Sequence, residues 1–330
     1  MPKIELHVHL EGSVNPETLL KLAEKNNIPL PVSTLAEICE WYTFTDFDNF
    51  IDVYLKISEC IQTAADLELI GREFLKNQKK QNIIYTEFTF TPHTHYIQKG
   101  ISFSAQLAAL ERARIWGLSE LGIDCRFIMD INRTEPSEAG EITANWLLEN
   151  QDSSIVALGL GGQEEGYPPE RHKAAFQKII ESRYHSIPHA GEMAGPASIR
   201  GALEILKAER LGHGVRSWED PELIKYLIDN NICLEVCPSS NICLKVYPSL
   251  SEHVLPKLVA AGLKVTINSD DPPMFSTSLT DEYLRISQAF GFGKEDYLRF
   301  NLTAIENCFL APEEKSALKI KYMNMWKKLN

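Results

Sequence analysis

The sequence predicts one α/β domain over residues 1–330: a (β/α)8 barrel of the TIM type, with a helical insertion between strands 1 and 2 and extra C-terminal helices. Three observations carry this. Short β-branched or aromatic runs alternate with longer segments of helical periodicity, the pattern of repeated βα units on a parallel sheet. Eight such runs are present, which close into a barrel more naturally than into an open doubly wound sheet, the alternative arrangement. Most His, Asp and Glu residues suited to chemistry fall at the C-terminal ends of these runs, where α/β barrels build their sites.

Strands are expected at 3–10, 83–91, 126–131, 155–160, 186–189, 210–213, 233–236 and 264–269. Between them, 104–121, 137–149, 170–182, 197–206, 221–230 and 252–261 place apolar residues at helical spacing. About seventy residues separate the first two strands, enough for several helices across one end of the barrel. Within them Phe47, Phe50, Tyr54 and Ile57 recur at helical spacing, as the core of an added layer or as the roof of a pocket. Residues 279–330 read as two or three further helices, and no linker or repeat divides the chain.

With 44% hydrophobic and 24% charged residues, the chain can bury a large core. Its net charge of −12 argues against a nucleic-acid partner, and the basic stretches 76–80 and 319–328 sit in helix-like segments that solvate their charge. Seven irregularly spaced cysteines with no CxxC pair read as reduced thiols. No window is long and apolar enough for a bilayer, and MPKIELHVHLEG lacks a signal-type apolar core. The expectation is a cytoplasmic protein with no membrane partner, its oligomeric state open and a homo-oligomer included.

The chemistry begins at HVH, where alternation along the first strand turns His7 and His9 to one face. His189 ends the fifth strand, His213 the sixth, and Asp270 with Asp271 the eighth. Three imidazoles and a carboxylate suit zinc and leave room for water. A lone His-x-His pair is weak evidence, because His93 and His95 form another whose part in a site stays open. His185 reads as structural, and His172 and His253 as helix-surface residues. Gly12, Gly191, Gly212 and Gly214 are read as permitting tight turns.

The segments PKIELHVHLEGS, YTEFTFTPHTH, LGLGGQEEG, HAGEMAGPASI, RLGHGV, LEVCPSSN and VTINSDDPPMF together resemble the adenosine deaminase family of the amidohydrolase superfamily. The resemblance spans nearly the whole chain. It implies one zinc ion per chain held by His7, His9, His189 and Asp270, with Glu192 as proton-transferring acid and base and His213 orienting the hydroxide. It further implies that Asp270 assists at the metal, that Asp271 faces purine N7 and that the Gly162 amide contacts N3, while His9 and Glu11 border the substrate. Asp271 is expected to be protonated with substrate bound, since N7 and a carboxylate both only accept hydrogen bonds.

Where the family's best-known members carry an aspartate that contacts the sugar, this chain has Glu11, as adenine deaminases tend to. HAGEMAGP looks more like the nucleoside branch. The implied reaction is therefore deamination of adenosine or deoxyadenosine in purine salvage, with adenine or aminodeoxyfutalosine as alternatives. The fourth strand, SIVALGL, offers no lysine to bridge two metals, so one ion is expected. Without a Pro-Cys-x-x-Cys pair, cysteine-ligated zinc of the cytidine deaminase type is not expected. The rival readings are an amidohydrolase that cleaves an amide or ester, and a zinc protein without catalysis.

Overall fold

The computed structural model describes residues 1–150 and 154–329. Eight strands follow one another around a single sheet: β1 Lys3–Glu5, β2 Ile83–Phe90, β3 Asp124–Asn132, β4 Ile155–Gly161, β5 His185–Ala190, β6 Arg210–His213, β7 Cys233–Val236 and β8 Lys264–Ile267. Each neighbouring pair runs parallel. The predicted (β/α)8 barrel is therefore the observed fold. Every β2 residue is buried on both faces, as expected of a strand with side chains inside the barrel and helices outside.

The strand β1 is shorter than its sequence suggests, because the seam between β1 and β8 is closed largely by side chains. The Asn268 Oδ1 accepts from the backbone N–H groups of Leu6 (2.9 Å) and His7 (3.2 Å), where a strand would use carbonyls. Backbone pairing resumes beyond them, with His9 N donating to the Asp270 carbonyl (2.9 Å) and Asp270 N to the His7 carbonyl (3.2 Å). Hydrophobic alternation continues through Leu10 and hides this change of partner. The seam is also where the site assembles.

Four helices fill the insertion: α1 Pro16–Asn26, α2 Leu35–Trp41, α3 Phe47–Glu59 and α4 Ala64–Lys80. Thr63 and Asp66 form a reciprocal capping box that starts α4. In α3, Phe50, Val53 and Ile57 are buried, and the Phe50 ring stacks on Phe275 from the loop after β8, with centroids 5.3 Å apart. The insertion is thereby tied to the loop that carries Asp270 and Asp271.

Three further helices, Leu279–Phe290, Lys294–Asn307 and Pro312–Trp326, complete the chain. Residues of the last two pack on Ile4, Leu6, Ile84 and Tyr85 of the first two strands and their extension. Two short helices, Pro92–Lys99 and Pro238–Cys243, escape the sequence pattern because each has eight residues or fewer directly after a strand. The expected 104–121 helix divides into Phe103–Trp116 and a wider turn over Gly117–Leu121. Among the described residues no helix is long and apolar enough to cross a membrane.

Candidate active site at the barrel mouth

The strand ends bring His7, His9, His189 and Asp270 together, with one ligand atom from each lying within 4.8 Å of all the others. The Asp270 Oδ1 stands 3.3 Å from Nε2 of both His7 and His9, and the Nε2 atoms of His9 and His189 are 3.1 Å apart. Gly212 makes this approach feasible: a Cβ there would stand 2.9 Å from His7 Cε1 and 3.1 Å from His189 Cγ. That glycine serves close packing rather than a turn, as does Gly12, whose Cβ would stand 1.6 Å from Asp271 Oδ1. Gly191 (φ 74°) and Gly214 (φ 68°) do serve turns.

Beneath the cluster lies a buried ionic chain. His7 Nδ1 meets Glu235 Oε2 at 3.0 Å, Glu235 Oε1 pairs with Arg210 Nε at 2.7 Å, and Arg210 Nη2 donates to Glu87 Oε2 at 2.6 Å. Burial works against charge on His7 and His9, yet the neighbouring carboxylates prevail and hold them up at about 10 and about 9. Burial also opposes charge on Asp270, but contacts with His7 and His9 keep it well below the usual carboxylate range. Burial, reinforced by His7 and His9, pushes His189 well below 6.5. The pocket thus sets acids and bases apart by environment.

Asp270 and His213 share a further property, since both adopt left-handed backbone conformations (φ 63° and 61°) without being glycine. Such strain costs on the order of 1 kcal/mol or more and gathers where function over-determines geometry. His213 Nε2 lies 3.6 Å from Glu192 Oε1 and 3.8 Å from Asp270 Oδ2. Burial pushes His213 down to about 3, while burial, together with Asp270 and Glu164, raises Glu192 well above 4.5.

The tautomer of His213 follows from its neighbours. Leu255 N donates to His253 Nδ1 (3.0 Å), so the proton of neutral His253 sits on Nε2 and is given to Asn241 Oδ1 (3.1 Å). That leaves the Asn241 amide nitrogen facing His213 Nδ1 at 3.5 Å, and the His213 Nε2–H directed into the pocket. His253 is buried at 3% exposure and does not lie on a helix surface as its spacing suggested, because it sits in the turn between Leu250–Glu252 and Leu255–Ala260. His172 is likewise buried, at the short turn Pro169–His172, with Nε2 3.2 Å from the Arg133 carbonyl.

Glu192 rides on a loop gripped by Glu164. The Glu164 carboxylate accepts from the backbone N–H groups of Gly191 (2.6 Å), Glu192 (3.0 Å), Met193 (2.8 Å) and Ala194 (2.8 Å), and from the Ser198 hydroxyl. Sequence reasoning missed Glu164, Glu235 and Asn241, which touch the loop and the imidazoles rather than the cleft centre. Their signal was present as unexplained polar residues in the quoted segments LGLGGQEEG and LEVCPSSN.

Above the cluster opens a cleft with about 980 Å³ of unfilled space, its open mouth included. His9, Glu11, Gly162, Asp271, Glu192 and His213 all line it. Helix α3 roofs it with Phe47, Phe50 and Tyr54, so these aromatics serve both pocket and core. Glu11 is already engaged: Oε1 accepts from Thr91 N (3.1 Å) and faces His95 Nε2 (2.8 Å). His95 is therefore attached to the site through Glu11, whereas His93 pairs with Glu135 (2.9 Å). His185 lies apart, bonded to Glu209 (2.8 Å) and stacked on Phe309.

Residues 2–324 match the family described as adenosine deaminase. The chain belongs to the adenosine deaminase family. It is 37% identical over 321 residues to an adenine deaminase of Vibrio parahaemolyticus, covering 97% of this chain and 95% of that one. It is also 37% identical over 320 residues to an aminodeoxyfutalosine deaminase of Streptomyces coelicolor, covering 96% and 82%. The crystal structure of an adenine deaminase from Arthrobacter aurescens superposes with a TM-score of 0.93 at 29% identity, covering 99% of each chain. As a member of this family the chain is an aminohydrolase, a hydrolytic deaminase of the amidohydrolase fold.

Proposed function

We propose that the chain removes the 6-amino group from a 6-aminopurine by hydrolysis, using one zinc ion held by His7, His9, His189 and Asp270. The observation that carries this reading is the convergence of those four side chains beside Glu192. The residues suit zinc. Donor atoms that share one zinc ion at bonds of about 2 Å must stand roughly 3–4 Å apart, and the Asp270–His7, Asp270–His9 and His9–His189 separations of 3.3, 3.3 and 3.1 Å would suit that. His7 Nε2 also makes no hydrogen bond although it is buried. When bound, such an ion lowers the pKa of a coordinated water toward neutrality and so supplies a nucleophile.

The protein groups supply the rest. Glu192, whose carboxyl burial and Asp270 raise well above 4.5, gives a proton to ring N1, which makes C6 electrophilic. His213, with its Nε2–H turned inward, donates to the attacking oxygen and stabilises charge there. The Gly162 N–H binds N3. Asp271, whose Oδ1 has no partner and whose carboxyl is raised by burial and by Asp270, presents a proton to N7.

The relatives named adenine deaminase and aminodeoxyfutalosine deaminase favour those two substrates, one a free base and one a nucleoside, over adenosine. The test is an ammonia-release screen across adenine, adenosine, deoxyadenosine, 5′-substituted adenosines and aminodeoxyfutalosine, with 1-deazaadenosine beside them. Turnover that needs ring N1 supports deamination. Cleavage of amides or esters, with no ammonia from any purine, rejects it.

A further inference from the structure

Asp130 is a carboxylate for which the account above has no use. It lies near the end of β3, is 3% exposed and lines the cleft. Its Oδ1 meets no hydrogen-bond partner, and among the described residues no ion pair reaches the group. A buried carboxyl without a partner is costly, and burial pushes this one up to about 7. The neighbouring strand nevertheless makes room for it. A Cβ at Gly159 would stand 2.5 Å from Oδ1, and one at Gly161 2.4 Å from Oδ2. Two glycines on β4 therefore keep space for a side chain that bonds to none of the described residues.

The strand order indicates what it meets. In the pose proposed above, N1 faces Glu192 after β5, N3 faces Gly162 after β4, and N7 faces Asp271 after β8. Strands follow in sequence order around the barrel, so the remaining corner of the purine, N9, falls on the arc formed by β3, β2 and β1. On that arc Glu11 is taken up by His95 and Thr91. Among the described residues Asp130 is the acidic group there that lacks a partner, and in its ionised form it accepts from a ligand's O–H or N–H.

We propose that Asp130 accepts a hydrogen bond from a hydroxyl of the sugar carried on N9, and that it makes the enzyme selective for a 6-aminopurine nucleoside over the free base. This rests on the purine pose given under the proposed function.

The experiment compares wild type with Asp130→Ala and Asp130→Asn on aminodeoxyfutalosine, adenosine, 2′-deoxyadenosine, 3′-deoxyadenosine, adenine and 9-methyladenine, with zinc content and melting temperature measured for each protein. The expected result is a fall in nucleoside kcat/KM of about ten- to a hundredfold, mostly in KM, at least tenfold larger than the fall on 9-methyladenine. The sugar analogue lacking the bonded hydroxyl is already poor in wild type and loses little more. Equal losses on 9-methyladenine and nucleosides overturn the assignment, as does a loss confined to adenine, which would place Asp130 on N9–H. If wild type turns over nucleosides and Asp130→Ala matches it, this inference fails alone. If wild type releases ammonia from no 6-aminopurine, the reaction itself is wrong and the inference falls with it.

Discussion

The carboxylate of Glu164 accepts the backbone N–H of Glu192 at 3.0 Å, so the group proposed to carry the proton is held in place by another acid 28 residues earlier in the chain. The same carboxylate takes three neighbouring N–H groups and a serine hydroxyl, so one side chain binds four consecutive N–H groups of the loop after β5. Converging donors of this kind form an anion-binding nest. An amide at this position would turn a donor toward donors. Glu164→Gln should lower kcat by about ten- to a hundredfold and stability by about 1–3 kcal/mol, with zinc content unchanged. Steady-state kinetics and chemical denaturation on one preparation check it.

Asn241→Asp tests the orientation of His213. With no amide nitrogen left to face His213 Nδ1, that atom becomes the protonated one and Nε2 turns into an acceptor. The expected outcome is a loss in kcat of about a hundredfold with a much smaller change in KM, alongside a changed 15N tautomer signature for His213. An unchanged signature contradicts the relay through Leu255, His253 and Asn241.

His253 predicts a pH dependence of stability. Burial depresses it from 6.5 to about 4, so between those values the unfolded chain binds a proton that the folded chain refuses. Its contribution is fully present above about pH 6.5 and is lost as pH falls toward 4, to the extent of about 3 kcal/mol. The nearest packed ring is Tyr247, whose centroid lies 4.7 Å away. Denaturant melts at stepped pH values should show this slope in wild type and a shallower one in His253→Gln.

Glu235 holds His7 from behind at 3.0 Å while paired with Arg210. Replacing it with Gln should weaken zinc binding by about ten- to a hundredfold, since carboxylates behind ligating imidazoles fix ring orientation and raise basicity. Competition with a fluorescent chelator measures this directly.

The barrel and the convergence of His7, His9, His189 and Asp270 were legible because both depend on local pattern: alternating runs make strands, and polar side chains suited to chemistry sit where strands end. Counting runs placed His7, His9, His189, His213, Asp270 and Asp271 at strand ends, and the resemblance to the family singled out four of them as ligands. What stayed hidden depends on contacts between distant segments. Glu164 reads as one more charge in a polar loop until the β5 loop folds over it. His172 and His253 look like helix-face residues until turns carry them inward. The end of β1 is misread because Asn268, more than 260 residues away, replaces its backbone partners. Asp130 gave no signal either, since an acid at a strand end becomes notable only once its lack of partners is known.

The central claim is that deamination depends on one ion held by four residues, with Glu192 passing the proton. The most direct measurement is zinc per chain and ammonia released from the best 6-aminopurine, taken on the same wild-type preparation before chelation, after it and after zinc is restored, with Glu192→Gln in parallel. The account predicts one zinc per chain, activity that leaves and returns with it, and a Glu192→Gln protein that keeps its zinc but loses about a hundred- to ten-thousandfold in kcat. Metal-free protein that deaminates at the full rate, or a zinc-loaded Glu192→Gln enzyme that turns over normally, would contradict it.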